Sequence, residues 1–153
     1  MRAWRLVFDF AVDFKPDEII ILGDFYDNYS ISRFDKDPKK DFRFLSEELA
    51  SGTDAMRELD KRFPRAKFIF LEGNHEYRLK HYVYKNAGKI GDLIDVKPIF
   101  GVPSRWHYIH SGYNGHYKPG NWVATHGTLF SEHVCANMIN LTRNVYKVTR
   151  VFG

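Results

Sequence analysis

The chain has 153 residues, the length of one ordinary domain, and a chain of that size can bury about 70% of its unfolded surface. Hydrophobic residues make up 44% and charged residues 27%, which excludes a disordered polar chain, and the longest apolar run, Ile19-Ile20-Ile21-Leu22, is too short to span a bilayer. A single cysteine, Cys135, excludes an internal disulfide and points to a reducing, cytoplasmic setting, while the formal net charge of +4 suits an anionic partner.

No repeat, low-complexity tract or linker divides the sequence, so residues 1–153 read as one domain. Ala3, Leu6, Val7, Phe10, Ala11 and Phe14 recur at helical spacing and predict an amphipathic helix over 2–14. Pro16 ends it. Glu18 to Leu22 is a short β-branched run, read as a strand buried on both faces. Gly23 breaks that strand, and residues 24–40 read as a polar loop. The basic cluster from Lys36 to Arg43 is interrupted by Asp37 and Asp41 and reads as a solvated face.

A second helix is predicted over 41–63, with Phe44, Leu45, Leu49, Met56 and Leu59 inward and Gly52 as a candidate break. Ala66 to Leu71 is a second buried strand, and a helix follows from Glu76 to Asn86. Residues 92–120 suggest short strands and hairpins around Trp106-His107-Tyr108 and Gly115-His116-Tyr117. Asn121 to Thr125 is a further strand. A helix over 131–142 and a strand over 144–152 complete the chain. This alternation predicts an α/β layered fold with a largely parallel sheet.

The polar residues cluster where strands end. One strand runs into Gly23-Asp24-Phe25-Tyr26-Asp27, the next into Gly73-Asn74-His75-Glu76, and the third into His126-Gly127. Ligands of α/β sheets bind beyond the carboxyl ends of strands. Three neighbouring strands would thus deliver Asp, Asn-His and His to one crevice. A carboxylate, an amide oxygen and imidazole nitrogen suit Mn²⁺, Fe²⁺ or Zn²⁺.

The Gly-Asp-x-x-Asp at 23–27, the Gly-Asn-His-Glu at 73–76 about fifty residues on, and the His-Gly at 126–127 together resemble the calcineurin-like metallophosphoesterases. Phe14-Lys15-Pro16-Asp17 and Tyr29-Ser30-Ile31-Ser32-Arg33-Phe34 are similar to phage and prokaryotic members. The resemblance implies a four-layer α/β/β/α sandwich and hydrolysis of a phosphomonoester or phosphodiester at a dinuclear centre. It implies metal ligands at Asp24 (bridging), Asn74 and His126. It implies that His75, oriented by Asp27, is the general acid or steadies the phosphoryl oxygens, and it implies two divalent cations (Mn²⁺, Fe²⁺ or Zn²⁺). The family's Asp-x-His and Gly-His-x-His motifs do not occur in these residues. The expectation is therefore an incomplete domain with its first strand and C-terminal strands missing. It would keep one metal site, and its activity alone would be reduced or lost.

Other residues invite plainer readings. Asn74 could cap a helix, and Glu76 suits a helix N-terminus by charge. Arg33 and Arg78 could meet substrate phosphate but read as exposed arginines. His107, His110 and His116 are candidate replacement ligands of low specificity, His81 reads as solvated, and His133 as structural. The aromatics read as core rather than as a stacking platform. Two rival functions remain, a degenerate metal- or anion-binding module and a nucleic-acid-binding protein. Metal dependence separates both from an enzyme acting on a phosphate ester, nucleotide or nucleic acid.

Overall fold

The computed structural model describes residues 2–36, 44–110, 115–127 and 150–152. Helix α1 (Arg2–Phe14) is followed by strand β1 (Glu18–Ile21), helix α2 (Leu45–Arg62), strand β2 (Lys67–Leu71) and helix α3 (Asn74–Ala87). A short helix α4 (Val96–Ile99) precedes strands β3 (His107–Ile109), β4 (His116–Tyr117), β5 (Trp122–Thr125) and β6 (Arg150–Phe152). The helix expected over 131–142, residues 144–149 of the last expected strand, Cys135 and His133 lie outside the described residues.

The strands form two sheets of three, in the orders β1-β2-β3 and β4-β5-β6. In the first, β2 lies between two parallel partners, with Glu18 opposite Lys67 and Ile69 opposite His107. This central place explains its sequence: Phe68, Ile69, Phe70 and Leu71 are buried, as a strand covered on both faces requires. Strand β1 is only half-buried, contrary to the expectation of full burial, because it is paired on one side alone among the described residues.

Two further expectations change. The segment around Trp106-His107-Tyr108 is not a hairpin: β3 runs parallel to β2. A parallel return needs a crossover of about a dozen residues or more, and α3, a 3₁₀ turn over Gly88–Leu93 and α4 supply it. Strand β5, which leads to His126, is not a neighbour of β1 and β2. It sits in the second sheet, antiparallel to β4 and parallel to β6. The architecture is mixed α/β, with a wholly parallel sheet and a second, mixed one.

The helices meet the core in ways that pattern alone did not settle. Helix α1 buries Phe8, whose ring lies 6.2 Å from that of Phe63, while Leu6, Val7, Phe10 and Phe14 are exposed. Gly52 does not break α2. A Cβ there would run into the buried ring of Tyr26, so the glycine lets that ring lie against the helix. Phe44 precedes α2 and faces solvent, whereas Met56 and Leu59 are buried.

Aromatic pairs fill the core. Phe68 stacks on Trp106 at 4.2 Å, Phe70 on Tyr108 at 5.3 Å, and Tyr26 on Phe100 at 5.0 Å. Buried polar tips find partners: Trp106 Nε1 donates to Asp60 Oδ1 (2.6 Å), and the Tyr26 hydroxyl donates to the Phe100 carbonyl (2.6 Å).

Candidate metal centre

Two turns bring the candidate residues together. After β1 the chain turns through Gly23 (φ 89°) and Asp24 (φ 53°), both left-handed. A Cβ on Gly23 would come within 2.7 Å of the Gly73 backbone and 2.9 Å of His126 Nδ1, so these loops meet closely only through glycine. Asp24 tolerates the left-handed region better than most residues, and its side chain has a partner there. Its Oδ1 accepts the backbone N–H of His75 at 2.9 Å, an otherwise unpaired donor of the first turn of α3.

Glu76 binds the two turns to each other. Its Oε2 accepts the N–H of Gly73 and of Asp24, each at 2.9 Å, and its Oε1 accepts the N–H of Tyr26 at 3.0 Å. The side chain is fully buried. Burial pushes its carboxyl above the usual carboxylate range, and the backbone N–H donors pull the other way. The sequence presents Glu76 as an ordinary first-turn acid. The available signal was its place three residues after Gly73, the spacing at which a carboxylate returns to the residue before the helix.

Helix α3 begins at Asn74, two residues earlier than expected, with Gly73 in the capping place. Asn74 is therefore not the cap, and its side chain turns toward His126. His126 Nδ1 lies 2.7 Å from the Leu22 carbonyl, and its Nε2 lies 2.8 Å from Asn74 Oδ1 and 3.4 Å from Asp24 Oδ1. A carbonyl only accepts, so Nδ1 carries the proton. In neutral imidazole Nε2 then holds a lone pair, and it faces two oxygens that also hold lone pairs. In that form three electron-pair donors converge on one point. Donors about 2.1 Å from one cation lie about 3 Å apart at right angles, close to these spacings. The set of carboxylate, amide oxygen and imidazole fits a divalent cation.

Among the described residues, no three His, Cys, Asp or Glu side chains group as a metal site, which leaves the Asn74 amide as the third member of this set. His107, His110 and His116 belong to no such group; His110 lies 4.0 Å from Asp95. A cleft of about 510 Å³ opens beside Asp24, lined also by Phe25 and Glu48.

His75 stands next to the set. Its Nδ1 is 3.3 Å from Asp27 Oδ1, and its Nε2 is 3.8 Å from Asp24 Oδ2. Asp27 is held in turn by Arg78, whose Nη1 donates to the Asp27 carbonyl (2.6 Å) and to Oδ1 (3.0 Å). Arg78 is thus a largely buried partner, not the exposed arginine that the sequence suggested. Asn28, left-handed at φ 50° and fully buried, donates from Nδ2 to the His75 carbonyl at 2.9 Å. The backbone N–H groups of Asp27 and Asn28 both donate to Glu48 Oε1. Neither Asn28 nor Glu48 stood out in the sequence, because their partners lie on other elements.

All five singled-out residues therefore come together, with Asp24, Asn74 and His126 forming one cluster and His75 and Asp27 its neighbours. No curated protein and no solved structure matches the chain. Residues 2–149 do match the family model of calcineurin-like phosphoesterases. With this span, which takes in both turns and the His126 loop, the chain belongs to the calcineurin-like phosphoesterase family.

Proposed function

We propose that the chain hydrolyses a phosphate ester, monoester or diester, in the crevice above Asp24, Asn74 and His126, with these three side chains holding a divalent cation. The observation that carries this reading is the convergence of three side chains, with His126 Nε2 at 2.8 Å from Asn74 Oδ1 and 3.4 Å from Asp24 Oδ1. When bound, such a cation supplies Lewis-acid charge to a phosphoryl oxygen and makes a neighbouring water a better nucleophile. Mn²⁺, Fe²⁺ and Zn²⁺ all suit the donor set.

The protein's own groups position and move the proton. Asp24 Oδ1 is fixed by the His75 N–H, so its carboxylate stands ready without rearrangement. Asp27 takes the Nδ1 side of His75 and leaves Nε2 toward the crevice. From Nε2 a proton passes to the departing ester oxygen, completing the break of the P–O bond. Arg78, bonded to both the carbonyl and the carboxylate of Asp27, keeps that carboxylate in place.

The test is Mn²⁺ binding by calorimetry beside Mn²⁺-dependent turnover of bis(p-nitrophenyl) phosphate. Wild type should bind the ion and release nitrophenolate. Asp24→Asn keeps the shape but loses the charge, and should lower both ion affinity and turnover at least tenfold, the scale of losing one site group. Wild-type-like binding and turnover in Asp24→Asn would remove Asp24 from the site, and a folded wild type that binds no Mn²⁺ would end the reading.

A further inference from the structure

Beside Asn74 lies a second cleft of about 240 Å³. Ligand pockets commonly measure about 300–1,000 Å³, so this one has room for one chemical group rather than a whole ligand. Its wall on α3 is formed by Asn74, Tyr77, Arg78 and His81. These residues are three, four and seven positions apart, so they form one stripe along the helix. The stripe starts at a proposed cation ligand, and Arg78 follows it by about one helical turn, some 6 Å of helix axis. Arg33 and Phe34, just after the 3₁₀ turn Tyr29–Ile31, line the same cleft.

Among the described residues, the charges in this cleft are not balanced internally. No carboxylate is among its described lining residues. Arg33 has no acidic partner among the described residues, and its guanidinium lies over the Phe34 ring at 5.3 Å. Arg78 uses only Nη1 on Asp27, so Nε and Nη2 have no partner among the described residues. Two guanidinium groups with unused donors, set in a small recess, match the oxygens of a phosphate, which guanidinium binds with two parallel bonds.

Resting on the phosphoesterase reading, we propose that this cleft is a subsite for a second, non-scissile phosphate of the substrate. The preferred substrates then carry two phosphate groups separated by a short sugar unit. The scissile one lies at Asp24, Asn74 and His126, and the other between Arg33 and Arg78. The half-exposed Phe34 ring offers a face to a base or sugar attached to that second phosphate.

The test compares binding of adenosine 3′,5′-bisphosphate, adenosine 5′-monophosphate and fructose 1,6-bisphosphate to the full chain in Mn²⁺, with phosphate release followed in the same samples. Wild type should bind the adenosine bisphosphate roughly tenfold or more tighter than the monophosphate, the scale of one good Arg–phosphate pair. Arg33→Ala should erase that preference, bringing the two adenosine ligands to about equal affinity. Fructose bisphosphate binding as tightly as the nucleotide supports recognition of phosphate alone; weaker binding supports an added contact from the base. Equal affinities for the two adenosine ligands, no measurable binding of the bisphosphate, or a preference that survives Arg33→Ala overturns the subsite. Bis(p-nitrophenyl) phosphate has no second phosphate. Loss of its turnover therefore counts against the hydrolase reading alone, and the affinity ratio still judges the subsite.

Discussion

Glu76→Gln isolates the buried carboxylate that ties the two site turns together. The native carboxylate accepts three backbone N–H groups, two on Oε2 and one on Oε1. Glutamine offers one oxygen and one NH₂. In its better orientation the oxygen keeps Gly73 and Asp24, and the NH₂ then points at the Tyr26 N–H. A buried donor loses its acceptor, at about 1–3 kcal/mol, and the two remaining bonds lose charge assistance. Removing a carboxylate whose own burial is unfavourable offsets part of this. The net loss should be about 2–3 kcal/mol, or roughly 4–12 °C in midpoint for a chain of this length. Glu47 supplies the control. It holds the same third-residue place in α2, and its carboxylate accepts the Phe44 N–H at 3.2 Å, but it is exposed. Glu47→Gln should stay within about 0.5 kcal/mol. Guanidinium and thermal unfolding followed by circular dichroism measure both. Equal, small losses in the two variants would refute the argument that burial makes the Glu76 contacts strong.

Two further outcomes follow from the core. Gly52→Ala gains about 1 kcal/mol in helix propensity, yet its new Cβ would run into the Tyr26 ring; overpacking of this kind costs about 1–3 kcal/mol, so the denaturation midpoint should fall, and a rise would show that the ring can move aside. Tyr26→Phe should be less stable than wild type at pH 8 by about 1–3 kcal/mol, because the buried Phe100 carbonyl loses its donor. Burial pushes the Tyr26 hydroxyl up from 10.0 to about 12, so its contribution is whole below pH 10 and fades as pH rises toward 12. The gap between the two proteins should therefore narrow by about 1.4 kcal/mol per pH unit across that window. A constant gap from pH 8 to 12 would contradict the assigned shift.

Local pattern was enough to read most of the elements. The run Ile19-Ile20-Ile21 and the run Phe68-Ile69-Phe70-Leu71 mark β1 and β2 to within a residue, because a short apolar run between turn residues has few other uses. Pairing was not legible. Nothing local says that β3 joins β2 in parallel or that β5 lies in another sheet, since both facts depend on partners far along the chain. The packed face of α1 was also hidden. Periodicity marked the stripe with Leu6, Val7, Phe10 and Phe14, which is exposed, whereas Phe8 is buried and packs beside Phe63, a contact far along the chain.

In the candidate site, residue type and spacing pointed to the side chains that cluster and missed the groups that hold them. The reason lies in the first turn of α3. Successive helical residues point about 100° apart, so four or five of them reach all sides of the helix end. Asn74 meets His126 from one sheet, His75 meets Asp24 and Asp27 after β1, Glu76 holds the backbone of both turns, and Arg78 reaches back to Asp27. A four-residue motif can thus be dense in function because each residue has a different partner. Those partners lie about fifty residues away on either side, so their identity enters the sequence only as scattered Asp, Asn and His. The same geometry couples the site to the fold. Asp24 stands at a strained left-handed turn, accepts from the helix end and faces His126, so its position depends on Glu76 as much as on its own side chain. A cation drawing on Asp24, Asn74 and His126 would bind the two sheets together across α3, and the weakest of these supports sets how firmly it is held.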